Sequence, residues 1–479
     1  MRLNNRWVQL GASLVAMIMI ANLQYSWTLF VKPIQAATGW KLSEISAAFT
    51  LFILFQTWVQ PLDGWLIDRL GPRLFITVAG VLCGAGWAYM GSATTLPQLY
   101  AAYMLAGVGA ALVYSGSIGS ALKWFPDRRG LAAGIMAAGF GGGTALFIPV
   151  IARLIRTSGY GSAFFWTGLF QGIVIVVVAQ LLRHPATDML KAAVVKSGST
   201  TSTAAERGVG APAKRFRGVG APGVNDVRGV GAPAKRFRGV GAPGVNDVRG
   251  VGAPAKRFRG VGAPGVNDVH FTTWEMLRTP HFYALYVMFV MMATGGLLVT
   301  AQAGPVATSW GISLAALTLA TTLSPIANGL SRISWGWVSD RLGREMTMMI
   351  AFSLQAICLV LVLTIGRLSG GLFTLSLVLV FFTWGEVFSL FPAITADYFG
   401  SRYATSNYGF VYSAKGVASI LGGVVAALLY ERFGSWTACF YGSAALALLA
   451  AVMAVGLRVM PLPVRRTAEL SPALAPAVK

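Results

Sequence analysis

Charge is scarce in this 479-residue chain: Asp, Glu, Lys and Arg together make 11% of it, and only 16 of those residues are acidic. A soluble protein carries about twice that share, so a single water-exposed globule is excluded. Cysteine is scarcer still. Cys83, Cys358 and Cys439 are the three present, each inside an apolar stretch. They make neither a disulfide framework nor a metal site and read as small packing residues. The three histidines, His184, His270 and His281, lie near the ends of apolar stretches or between them. No nucleophile and base fall together, so neither an enzyme nor a cofactor is expected. A cleavable leader is not expected either, because the first apolar block is too long and no small-residue cleavage site follows it before the next.

The chain has apolar length instead. Hydrophobic residues make 55% of it, and the mean hydropathy is +0.65. A bilayer core about 30 Å thick needs roughly 20 such residues per helix. Twelve blocks reach that length, near 7–31, 44–66, 73–93, 98–122, 130–152, 162–182, 282–303, 312–337, 346–366, 372–395, 404–430 and 435–457. The fold class expected is an all-α membrane protein of twelve transmembrane helices.

A net charge of +22 could suit nucleic acid, but its placement argues otherwise. Basic residues gather in alternate loops: Arg69 and Arg73, then Lys123, Arg128 and Arg129, the long middle loop, Arg341 and Arg344, Arg402, and Arg465 and Arg466. The other loops hold few, such as Arg153, Arg156, Arg367 and Arg432. By the positive-inside rule the first set is cytoplasmic. Both termini are then inside, the chain sits in the cell inner membrane, and lipid rather than nucleic acid is the expected neighbour.

Two internal repeats carry different information. RGVGAPAKRFRGVGAPGVNDV fills 207–227, 228–248 and 249–269 without a change, and the three units add +9. Gly, Pro and charge dominate it, so disorder and a passive linker are expected, and a solenoid is the alternative set aside. The second repeat is fainter. Gly64-Trp-Leu-Ile-Asp68-Arg69-Leu-Gly71-Pro-Arg73 matches Gly336-Trp-Val-Ser-Asp340-Arg341-Leu-Gly343-Arg344 at an offset of 272. A second offset, 274, aligns Trp124-Phe125-Pro-Asp-Arg128 with Tyr398-Phe399-Gly-Ser-Arg402.

These paired loops resemble the signature of the major facilitator superfamily. The resemblance implies two pseudo-symmetric six-helix halves around a site at mid-membrane. It also implies a conformational latch at Gly64, Asp68, Arg69, Gly71 and Arg73, and again at Gly336, Asp340, Arg341 and Gly343. The expected organisation is a first half over 1–185, a cytoplasmic linker over 186–274, a second half over 275–460 and a tail over 461–479, in a monomer.

Three charges lie well inside the blocks: Arg332, Glu386 and Lys415. Buried charge in a membrane is costly and usually functional. At 1.5 Å per residue, Lys415 stands roughly 16 Å from the inner end of its span and Arg332 roughly 12 Å from Asp340. One reading is a two-cation clamp for an anion; the other is two cations that pair with Glu386 or with backbone carbonyls. Asn328, Arg332 and Trp335 share a face, as do Tyr408, Tyr412 and Lys415, and Trp384 and Phe388. Glu386 falls about 200° round from Trp384, so if the aromatic pair lines a cavity Glu386 points away from it.

The runs NLQYSWTLFVKP (22–33), VYSGSIGSALKWF (113–125), TWGEVFSLFPA (383–393) and YGFVYSAKGVAS (408–419) resemble the oxalate/formate antiporter family. That resemblance implies exchange of small carboxylate anions, with Arg332 and Lys415 on the carboxylates. The implied walls are Gln24, Tyr25, Tyr114, Trp384, Phe388 and Tyr412. Phe388 lacks a hydroxyl that tyrosine would bring, and Tyr412 stands where a tryptophan can occur. The alternative is a proton-coupled monocarboxylate symporter with Glu386 as the proton site.

Overall fold

In lipid a backbone must satisfy its own polar groups, which leaves helices as the way for these apolar stretches to cross. Every regular element among the described residues is helical. A computed structural model describes residues 5–125, 129–183, 270–400 and 402–463; the 207–269 repeats, most of the linker and the tail beyond 463 lie outside them.

Among the described residues ten stretches are long and apolar enough to span a membrane. One of these, Gly134–Ala179, holds two passes, because the helix turns at Gly159 with φ 80° and ψ 164°. Leu314–Leu342 is not among the ten, although it runs 29 residues. Arg332 and a run of hydroxyl residues dilute its apolar character. Twelve passes result. The first is Arg6–Tyr25 continued by Trp27–Thr38, and the second starts with Leu42–Trp58. The seventh is Pro280–Ser309, the eighth Leu314–Leu342, the tenth Gly370–Phe399 and the eleventh Ala404–Phe433. The side from which the middle linker leaves is called the linker side, and the other the far side.

The duplication is visible in the backbone. Gly71 has φ 72° and ψ 158°, and Gly343, 272 residues on, has φ 87° and ψ 158°. Only glycine adopts that region without strain, so both signature loops turn in the same way. At the far side Gly39 and Gly311 repeat the offset of 272, with φ 71° and 69°. Glycines also set the inter-half distance: a Cβ on Gly141 of the fifth pass would meet Gly329 Cα of the eighth at 2.9 Å. The Gly139–Gly143 run is therefore close helix packing.

Of the two signature loops, Gly64, Asp68 and Arg69 lie in a helix, but the Asp68 and Arg69 side chains are outside the described residues. Arg73 donates through Nε to Gln180 Oε1 at 2.7 Å. In the second loop the pairing falls to Arg344, which belongs to the motif but not to the expected latch. Its Nη1 lies 2.7 Å from Asp340 Oδ1, its Nε 3.1 Å from Asp397 Oδ2, and Nη1 also reaches Ser339 Oγ. Arg341 instead lays its guanidinium over Trp337, 3.4 Å from the ring centroid. Gly336 is half-buried in the eighth pass.

Beyond the repeats, Phe271 is fixed to the helical body. Its N–H donates to Phe399 O at 2.9 Å, its carbonyl accepts from Asn407 Nδ2 at 3.1 Å, and its ring is buried edge-on to Phe399. An anchor of this kind holds the seventh pass whatever length of chain precedes it. Deleting 207–269 should leave the transport rate unchanged, measured as initial uptake per mole of purified protein in proteoliposomes.

Candidate functional site

The site starts from an interruption in the tenth pass. Helix Gly370–Trp384 ends at Gly385, and Val387–Phe399 begins beyond Glu386. A helix end leaves its last carbonyls without intrahelical donors. The eighth pass supplies a donor there, Trp335 Nε1 to Phe382 O at 3.0 Å, and Asn328 Nδ2 adds a second donor at 3.2 Å to Phe381 O, which keeps its Gly385 N–H. Gly385 allows this approach, since a Cβ there would overlap Ser331 Oγ.

Asn328 then turns its other end to Arg332, whose Nη2 donates to Asn328 Oδ1 at 3.1 Å. The guanidinium lies over Phe388, 4.5 Å from the ring centroid. Arg332 is 5% exposed, yet Nε and Nη1 have no hydrogen-bond partner in the protein. The phenols of Tyr25 and Tyr114 lie beside the same guanidinium.

Lys415, on the eleventh pass, is fully buried and has all three donors engaged. Nζ donates to Gln24 Oε1 at 2.8 Å, Gln56 Oε1 at 2.9 Å and Tyr412 OH at 3.3 Å. Two of those acceptors belong to the first half, so the ammonium bridges the halves. Lys415 Nζ also lies 5.8 Å from the Phe388 centroid and 6.0 Å from that of Phe140. Both cations therefore flank one ring.

Aromatic groups wall the rest. Trp384 and Phe388 meet edge to face at 5.3 Å, and Tyr25 stands 6.4 Å from Trp384 and 5.8 Å from Phe140. Tyr114 and Tyr412 stack across the halves at 6.1 Å with 12° between planes. Gly296 of the seventh pass admits the indole, because a Cβ there would overlap Trp384. Ring faces attract cations without neutralising them, so this wall holds the two positive charges and leaves them available to an anion.

Glu386 is buried with no partner for either oxygen, and it pairs with neither cation. That removes one of the two readings of the intramembrane charges. The structure brings together Gln24, Tyr25, Tyr114, Arg332, Trp384, Phe388, Tyr412 and Lys415. It adds Gln56, Asn328, Phe140 and Phe381, of which the sequence reading had placed only Asn328 beside Arg332. Gln60, which matches Arg332 at the 272 offset, is partly buried, and its Nε2 has no partner. The cation has no counterpart in the first half.

Comparisons with known proteins agree with this architecture. A family model described as Major Facilitator Superfamily matches residues 12–300 and 283–478. The Oxalate:formate antiporter of Oxalobacter formigenes is 34% identical over 471 residues, covering 98% of this chain and 96% of that protein. Uncharacterized MFS-type transporter YhjX of Escherichia coli (strain K12) is 24% identical, covering 87% and 86%. Monocarboxylate transporter 12-B of Danio rerio is 23% identical, covering 80% and 72%.

Proposed function

Because the chain belongs to the major facilitator superfamily, we propose that it is a secondary active transporter that exchanges small carboxylate anions, oxalate against formate, by alternating access. One observation carries this reading: Arg332 and Lys415 share an aromatic wall at the junction of the halves, and among the described residues no carboxylate pairs with either. The full-length similarity to an oxalate:formate antiporter supports it.

In this mechanism Arg332 donates to one carboxylate from Nε or Nη1, the guanidinium nitrogens that no protein group occupies, while Lys415 acts as a point charge for the other. Lys415 exchanges an amide oxygen of Gln24 or Gln56 for a substrate oxygen. A dianion offsets both buried charges, and the loaded halves rock about the site. The empty carrier keeps two poorly solvated cations and reorients slowly, which makes exchange obligatory. The protein acts as a monomer in the inner membrane, with the linker side cytoplasmic.

Radiolabelled oxalate counterflow in proteoliposomes, competed by formate, malonate and pyruvate, tests the reading; absence of counterflow with all four overturns it. Lys415→Gln keeps a polar side chain and removes the charge. It should lower the initial exchange rate by at least about tenfold, the scale of one lost charge-assisted contact. Full exchange in that variant would remove Lys415 from the mechanism. Glu386, buried and unpaired, supports a second reading of proton-coupled monocarboxylate symport. Formate or pyruvate uptake driven by a pH gradient without counter-substrate would select it.

A further inference from the structure

Two seams close the far side above the site. Between the first and seventh passes, Gly304 N–H donates to Thr28 Oγ1 at 2.5 Å, and a Cβ on Gly304 would overlap the Thr28 carbonyl. Between the second and eleventh passes, Thr50 Oγ1 donates to Ser419 O at 2.9 Å. Gln302 Nε2 spans both seams, donating to Ser46 Oγ at 2.9 Å and Gly423 O at 3.1 Å. Beneath them lies a small cavity lined by Tyr25, Thr28, Thr300, Ser324 and Phe381.

These joints use neutral groups. The outermost joint does not. Helix Leu42–Trp58 starts on the far side, and its first N–H groups have no intrahelical acceptor. Glu431, in the final turn of Ala426–Phe433, fills that role from the other half. Ser43 N–H donates to Glu431 Oε1 at 2.7 Å and Ser43 Oγ to Oε2 at 2.8 Å. The carboxylate meets the positive end of the helix dipole through Oε1, and Oε2 holds the Ser43 hydroxyl. Glu431 is exposed, so water can hydrate it once the joint parts. It therefore has two well-solvated states, as a switch requires.

We propose that Ser43 and Glu431 form the releasable latch of the far-side gate. Closing it caps the second pass with a carboxylate of the opposite half, and opening the carrier to the far side requires that cap to come off. The proposal rests on alternating access, not on the identity of the substrate.

The test is cysteine accessibility. Ser324→Cys places a reporter in the cavity beneath the seal, and a membrane-impermeant maleimide is applied from each side, in intact cells and in inverted vesicles. The three native cysteines, all buried, set the baseline in the carrier without the reporter. Glu431→Ala should raise far-side labelling about tenfold, the effect of losing charge-assisted hydrogen bonds. Ser43→Ala keeps its N–H and should give a smaller rise. Gly304→Ala, which blocks seating of the other seam, should move labelling the same way and proves the reporter responsive. If Glu431→Ala does not fold, Glu431→Asp is read in its place, because it is one methylene too short to hold both donors. Labelling of the Glu431 variant at the parent rate overturns the latch. Raised labelling together with absent oxalate counterflow would leave the latch standing and remove only the substrate.

Discussion

Arg332→Lys is expected to cut the initial rate of oxalate exchange by about two orders of magnitude although the charge is retained. Three features of the site make the replacement non-conservative. The guanidinium holds Asn328 Oδ1 with Nη2 while leaving Nε and Nη1 free, so one side chain binds its support and still has donors for a substrate. It also lies flat on Phe388 at 4.5 Å. An ammonium is compact, strongly hydrated and unable to do all three at once. A net loss of one to two hydrogen bonds to a charged group, each about 1.5–3 kcal/mol, sets the scale. Exchange assays in proteoliposomes give the rate, and size-exclusion elution of the purified variant shows that it is folded. A Lys variant that exchanges at the parent rate would mean that charge alone matters at this position.

The second large effect is expected from a single methyl group. Gly296→Ala places a Cβ where the Trp384 indole lies, and the fully buried indole cannot move without disturbing Phe388 and Tyr25. Overpacking of a tight interior costs about 1–3 kcal/mol in stability. Displacing the wall common to both cations should lower exchange at least tenfold, by the usual conversion of about 1.4 kcal/mol per decade. Gly295→Ala is the control on the same helix. Its Cβ would meet Leu359 Cδ1 at 2.8 Å, the end of a flexible side chain that can turn aside. Equal losses in the two variants would show that general helix packing, not the indole, is responsible. Intrinsic tryptophan fluorescence reads the displacement independently of transport.

The sequence reading reached the passes because lipid imposes a compositional rule on every one of them. It reached Arg332 and Lys415 for the same reason, since a charge stands out against an apolar background. Leu314–Leu342 shows the cost of that contrast: Arg332 and the hydroxyl residues that set it apart also dilute its apolarity. Gln56 and Phe140 were not legible, because an amide or a phenylalanine in a membrane helix acquires its role only from what the opposite half places beside it. Arg341 and Arg344 show a different limit. The motif favours the arginine next to the aspartate, but the turn at Gly343 starts a new helix with Arg344 and brings it between Asp340 and Asp397. At Glu386 the hydrogen-bond ladder is interrupted although Gly385 and Glu386 keep helical dihedrals. The sequence could show that the acid was deep, but not that it lacked a partner.

The anchoring of Phe271 between Phe399 and Asn407 has a practical consequence. This fixed point turns the preceding segment into a cloning site supplied by the protein itself. A fluorescent domain spliced in place of 207–269 should report the carrier's abundance and position in living cells while the carrier keeps its turnover.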